Sequence, residues 1–217
     1  MSYSIIGSAR AAAALAAAFL ALGARPGGGD DAQEILKDVR RVYDGIRDAE
    51  IRFTERTRFP QSSLEQHSAG TLYLKKEHKY RIETEDQTVV TDGATVWSYS
   101  SASHQVLIDR YKGGDNPFAP ERILAGGGAD YTATALGREK VGGADCAVLK
   151  LVPRGESSLV RTLHIWVDKG LVRKAVITDV NGKETTYTVL DIRLNPGLSE
   201  SRFVLEIPPG AEVVDMR

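Results

Sequence analysis

Strict alternation of apolar and polar residues constrains this chain more than any other feature. Between Gly70 and Ile108 it runs GTLYLKK, EHKYRIE, TVVTDGATVWSYS and HQVLI, short alternating runs separated by turn signals or charged pairs. Successive side chains of a strand point to opposite faces of a sheet, so the pattern predicts half-buried strands. Asp92-Gly93 joins two of the runs, and both residues accept the positive φ of a type I′ hairpin turn. The stretch therefore predicts an antiparallel meander of about four or five strands. One face of it is expected to carry Leu72, Leu74, Tyr80, Ile82, Trp97, Tyr99, Val106 and Ile108.

The flanking chain supplies a helix and more strands. In AQEILKDVRRVYDGI, residues Ile35, Leu36, Val39, Val42, Tyr43 and Ile46 recur at helical spacing, opposite a charged face of Lys37, Asp38, Arg40, Arg41 and Asp44. Ala49 to Phe59 alternates and stops at Pro60, and Gln61 to Gln66 reads as a polar loop. Periodicity fails from Tyr111 to Gly128, where Pro117 and Pro120 exclude a regular strand. Pro120 suits the first turn of a short helix, Glu121 to Ala125, closed by Gly126. Strands are predicted again at 131–136, around Val141, and at 146–152, 161–167, 171–180 and 185–194. Asp168-Lys169-Gly170 and Asn181-Gly182 are turns between them, and 203–207 and 211–214 read as edge segments. Ten or eleven antiparallel strands in sequence order predict a mainly β (α+β) fold: a sandwich, a barrel or one curved sheet. The helix must bury its apolar stripe on that sheet, and a helix over a curved sheet encloses a cavity whose size depends on side-chain filling.

The N-terminus bears on compartment. Arg10 precedes AAAALAAAFLALGA, too short to span a bilayer but suited to the apolar core of a secretory signal peptide. Small residues Ala21, Gly23 and Ala24 suit cleavage, so residues 1–24 are expected to be removed, 25–30 to be flexible and 31–217 to form one domain. No cysteine lies near the cleavage region, and the mature chain is expected to be free and soluble outside the cytoplasm. A formal net charge of -1 argues against a nucleic-acid binder. The single cysteine, Cys146, allows no internal disulfide.

No catalytic constellation emerges. His67, His78, His104 and His164 lack metal-ligand spacing and sit at polar positions. Cys146 has no neighbouring base and reads as a buried core residue; the serines after Trp97 lack the GxSxG turn. The two Gly-Gly-Gly runs are not followed by GK[ST]. Asp92 and Asp168 occupy hairpin turns, where aspartate serves the backbone. Lys75, Lys76, Lys79 and Arg81 form a basic cluster, either the solvent face of an edge region or a contact for an acidic partner. What remains is apolar: Phe53, Leu74, Tyr80, Ile82, Trp97 and Tyr99 read as inward, and a packed core or an incompletely filled cavity satisfies that equally.

GTLYLKKEHKYRIE, TDGATVWSYSSASHQV and NPFAPERIL, closed by Phe203 to Gly210, resemble the periplasmic outer-membrane lipoprotein carrier (LolA) family over Asp31 to about Val214. The DG…WxY hairpin is the most specific part of the likeness. The resemblance implies an unclosed antiparallel barrel of about eleven strands with helices over a hydrophobic cavity. That cavity receives the acyl chains of lipoproteins, without catalysis or cofactor, in a monomer. An inner-membrane ABC transporter would load it and an outer-membrane lipoprotein receptor would unload it. On this resemblance the cavity lining is Phe53, Leu72, Leu74, Tyr80, Ile82, Trp97, Tyr99, Val106, Leu149 and Ile165. The lid and its latch are Leu36, Val39, Tyr43, Lys76, Phe118, Ile123 and Leu124. Two departures stand out. The family's Arg-Pro is Lys76-Glu77 here, and lysine lacks the planar fork with which that arginine ties the lid; Tyr80 replaces an aromatic at the mouth. The alternative function is a lipid- or lipoprotein-sensing module, or a glycolipid carrier, of the same architecture in the cell envelope.

Overall fold

The structure, a computed structural model, describes residues 29–62, 64–112, 120–126, 130–155 and 158–217. The expected signal peptide and Phe118 lie outside them. Helix α1 (Gly29–Gly45) takes in the last two residues of the segment expected to be flexible. The strands are β1 (Asp48–Arg58), β2 (Glu65–Lys75), β3 (Lys79–Thr84), β4 (Gln87–Thr91), β5 (Thr95–Ser100) and β6 (Gln105–Arg110). After the short helix α2 (Pro120–Leu124) come β7 (Tyr131–Val141), β8 (Ala144–Pro153), β9 (Val160–Asp168), β10 (Leu171–Asp179), β11 (Glu184–Leu194) and β12 (Glu212–Asp215). They form one twelve-stranded sheet in the order β12-β6-β5-β4-β3-β2-β1-β11-β10-β9-β8-β7. The terminal strands β12 and β7 do not pair, so the sheet is unclosed, as the resemblance implies.

Several elements differ from the sequence expectation. Glu65 and Gln66 belong to β2 rather than a loop, because β1 pairs with them to its last residues. The expected strands at 131–136 and around Val141 are one strand. A bulge between Ala135 and Gly137 breaks its alternation and leaves Leu136 exposed. Residues 203–207 are not a strand: a 3-10 helix, Glu200–Phe203, leads into irregular chain before Pro208-Pro209, which cannot donate to a ladder. Strand β12 pairs with β6 in parallel, because the chain crosses the sheet before returning. At Asp92-Gly93 only Gly93 has positive φ (91°); Asp92 instead accepts the N–H groups of Ala94 and Thr95 at 2.8 Å through Oδ1. The turn is therefore not type I′, and the aspartate caps it.

Register decides which residues share a face. Three residues separate the paired Lys75 and Lys79, so Leu72 opposes Ile82 and Leu74 opposes Tyr80 on one face. Four residues separate Glu83 from Thr88, Thr91 from Val96, and Ser100 from Gln105. An even number between partners exchanges the roles of odd and even positions at each crossing. Two exchanges between β3 and β5 turn Val96 and Ser98 toward the face of Tyr80, and Trp97 and Tyr99 away from it. The third places Val106 and Ile108 with Trp97 and Tyr99. The expectation of one shared apolar face is corrected: Trp97, Tyr99, Val106 and Ile108 lie opposite Leu72, Leu74, Tyr80 and Ile82.

Each face is covered in part. Helix α1 lays Ala32, Leu36 and Val39 on the inner face of β7 to β10, each burial worth about 1.5–3 kcal/mol for the larger side chains. The outer face of β4 to β6 is covered by the C-terminal segment, whose Leu205 and Ala211 pack with Val90, Trp97, Tyr99, Val106 and Ile108.

Candidate functional site

The helix-covered face carries two apolar clusters rather than one. Leu36, Val39 and Ile123 pack with Leu149, Leu151, Ile165, Val172 and Ile177. Ala49, Ile51, Phe53, Leu72, Leu74 and Tyr80 form the second, with Ile82 partly buried against it. Leu124 and Tyr187 are the partly buried hydrophobics that touch both. Along the seam is a small, partly open crevice of about 30 Å³, walled by Tyr43, Ile46, Ile51, Leu74, Leu124, Val172 and Ile192 among others. Leu149 and Ile165 are fully buried beneath α1, so the helix fills the space that a ligand would need.

A second cavity, about 600 Å³, opens at one end of the seam. Its rim comprises Asp44, Arg47, Asp48, residues 75–79, Arg122, Ala125 and Asp130, and its floor includes Tyr43, Ile46 and Leu74. Those three residues also wall the seam crevice, so the charged mouth and the apolar seam share them. The side chain of Lys76 is exposed on this rim, and among the described residues it has no ion pair or side-chain hydrogen bond that would latch α1 or α2. The ion pair that ties α2 to the start of β7 is Arg122–Asp130, at 2.8 Å. Gly126, which closes α2 as expected, has φ 71°, and a Cβ there would lie 2.7 Å from Leu36 Cδ2. Its absence lets the end of α2 rest on α1.

Of the residues expected to line a cavity, Phe53, Leu72, Leu74, Tyr80, Ile82, Leu149 and Ile165 share the inner face. Trp97, Tyr99 and Val106 do not: they pack under the C-terminal segment. Tyr99 and His104 Nδ1 share a hydrogen bond of 3.1 Å there, and His104 Nε2 lies 3.3 Å from the Pro209 carbonyl.

Sequence reasoning did not place Tyr187 or Tyr111 in the site, and it gave Ile46 only to the helix stripe. The Tyr187 ring stands edge-on to Phe53 with centroids 6.0 Å apart. Burial, then the charge of Glu55, pushes its phenol well above the ordinary tyrosine range. The alternation of β11 signals Tyr187 and Val189; only pairing with β1 and β10 places them inside. Tyr111 lies outside any strand and reaches Tyr80 at 6.3 Å between ring centroids.

Three of the four basic side chains, Lys75, Lys79 and Arg81, are spent within the chain, not at a free edge. Lys75 Nζ lies 2.6 Å from Glu200 and donates to the Leu198 carbonyl at 2.8 Å, and Lys79 Nζ lies 3.0 Å from Glu200. Arg81 donates to the Arg202 carbonyl at 3.3 Å, and the Arg202 guanidinium sits 4.3 Å from the Tyr73 ring centre. Hydrogen bonds from Lys75 and Lys79 hold the Glu200 carboxyl below its ordinary range. Cys146 is fully buried and its thiol is pushed up by that burial, the opposite of an activated nucleophile.

Comparison with known proteins agrees with this architecture. The outer-membrane lipoprotein carrier protein of Pseudomonas aeruginosa is 25% identical over 202 residues, covering 91% of this chain and 95% of that protein. The protein of the same description from Chromohalobacter salexigens is 28% identical over 152 residues, 69% of this chain and 71% of that one. Among solved structures, an uncharacterized conserved protein from Thermus thermophilus superposes with a TM-score of 0.57 at 16% identity, covering 85% of this chain and 99% of that one. That likeness concerns the fold alone. The model of the family "Outer membrane lipoprotein carrier protein LolA" matches residues 44–206, and the chain belongs to that family.

Proposed function

We propose that the protein is a periplasmic carrier that binds the acyl chains of lipoproteins and shuttles them from the inner to the outer membrane. The observation that carries this reading is the seam. Two apolar clusters on one sheet face meet through Leu124 of α2 and Tyr187 of β11 instead of merging into one core. Each CH₂ of a lipid anchor costs about 0.8 kcal/mol to expose, so an anchor crosses water only inside an apolar sleeve. Displacing α1 and α2 exposes such a sleeve, lined by Phe53, Leu72, Leu74, Tyr80, Ile82, Leu149 and Ile165. Leu36, Val39, Tyr43, Ile123 and Leu124 are the underside of the lid. Arg122–Asp130 takes the latching role expected of Lys76. Exposed ion pairs are worth about 0–1 kcal/mol, which suits a lid that must open.

The partners are acylated lipoproteins, a lipoprotein-releasing ABC transporter in the inner membrane and a lipoprotein receptor in the outer membrane. The chain reaches the periplasm through the signal peptide at 1–24 and acts without chemistry of its own. Co-purification with a lipoprotein in acylated and deacylated forms tests the reading: only the acylated form should bind. Equal binding of both forms would sink it. Correctly sorted lipoproteins in a deletion strain with an altered envelope stress response would favour a sensor instead.

A further inference from the structure

The inner face of β1 to β3 is laid out in rows across the strands, and the rows change character along the sheet. Counted from the mouth, the register sets Tyr80, Leu74 and Ala49 side by side, then Ile82, Leu72 and Ile51, then Phe53 beside Val189 of β11. The next two inward positions of β1 are Glu55 and Thr57, opposite Tyr187 and Thr185 of β11. Thr57 is buried; its hydroxyl donates to Glu55 Oε1 at 3.2 Å and lies 3.3 Å from the Thr185 hydroxyl. Three apolar rows are thus followed by a polar one.

Two aromatic rings stand at that change. Gly70 is the cross-strand partner of Phe53, and a Cβ there would lie 3.0 Å from Phe53 Cζ, so the ring spreads over the β2 backbone. On its other side the ring meets Tyr187 edge-on, and Tyr187 pairs with Ala175 of β10 and packs against both apolar clusters. Phe53 and Tyr187 therefore form a wall from β2 across to β10. The seam crevice lies on the mouth side of this wall, bounded by Ala49, Ile51 and Leu74. Resting on the carrier reading, we propose that the Phe53–Tyr187 wall is the stop that sets how long an acyl chain the sleeve holds. The chain enters methyl end first from the mouth, lies along β1 and ends against the two rings. The four residue steps from Ala49 to Phe53 cover roughly 13 Å of strand. Passing the wall would press methylenes on Glu55 and Thr57 and deny those groups water, so the polar row reinforces the stop.

Calorimetric titration of the full chain with monomeric N-acylated triglycine tests it, with the acyl group lengthened from decanoyl through dodecanoyl, tetradecanoyl and hexadecanoyl to octadecanoyl. Short of the stop, each two further methylenes should tighten binding about tenfold; past it the gain should disappear, giving a break within the series. Phe53→Leu and Tyr187→Leu should each move the break to a longer chain, and Tyr187→Phe, which keeps the ring, should leave it in place. Leu72→Ala, in the middle row, should weaken all the chains alike without moving it. A gain that continues in the native protein through octadecanoyl overturns the stop and leaves the carrier reading intact, and that result needs no variant to fold. A break that stays in place in the folded leucine variants does the same. Failure of every acyl peptide to bind overturns both inferences together.

Discussion

Val90 and Trp97 are cross-strand partners on the face of the sheet turned away from α1, beneath Leu205 and Ala211. The indole is therefore a structural anchor for the C-terminal segment. Trp97→Ala is expected to cost about 2–3 kcal/mol, less than for a fully buried tryptophan, with acyl-ligand affinity unchanged. Urea denaturation beside a binding titration checks this. Lost binding at native stability would contradict the register.

Phe203 is almost completely buried although it lies in a short 3-10 helix. Phe203→Ala should cost about 3–5 kcal/mol and release the segment that follows it. Limited proteolysis near Pro208 would then become fast, whereas an unchanged cleavage rate would mean that β12 holds the segment alone.

The Lys75–Glu200–Lys79 contact makes that docking sensitive to acid. Glu200 is held below its ordinary range, so its contribution is fully present above the unfolded glutamate value of about 4.3 and is lost as pH falls through the lower folded value. Hydrogen exchange of the Glu212 amide, which bonds to the His104 carbonyl, should accelerate across that acid window. In Glu200→Gln the step should vanish; a step of the same size in that variant would assign it to another carboxylate.

Gly126→Ala tests the lid. The left-handed conformation costs a non-glycine residue about 1–2 kcal/mol, and the added methyl would press on Leu36. Looser docking of α2 should raise the uptake of an apolar fluorescent probe out of proportion to the loss of global stability. Parallel changes in the two would show that α2 unfolds only with the whole domain.

Cys146 should resist thiol reagents in the native protein, since it is buried and its thiolate is disfavoured. Its labelling rate at neutral pH should follow denaturant-driven opening. Rapid labelling without denaturant would place the thiol at the surface.

The sequence by itself determined the element types, because alternation and 3.6-residue spacing are local consequences of backbone geometry. The helix stripe of Leu36 and Val39, the meander strands and the Gly126 stop of α2 all follow from neighbours within one turn or one strand. Residue chemistry at the β2–β3 and β4–β5 turns also carried the family likeness. Only the tertiary structure decided which face each strand turned to the helix. Trp97 and Tyr80 look alike in sequence, but each even-numbered crossing exchanges odd and even positions, and that count is set by pairing partners. The same holds for Lys75 and Lys79: their partner Glu200 lies more than a hundred residues away, and the segment leaving β11 brings it there by crossing the ends of β1 to β3. The seam and the mouth are properties of what is left unfilled after folding, which local pattern does not encode.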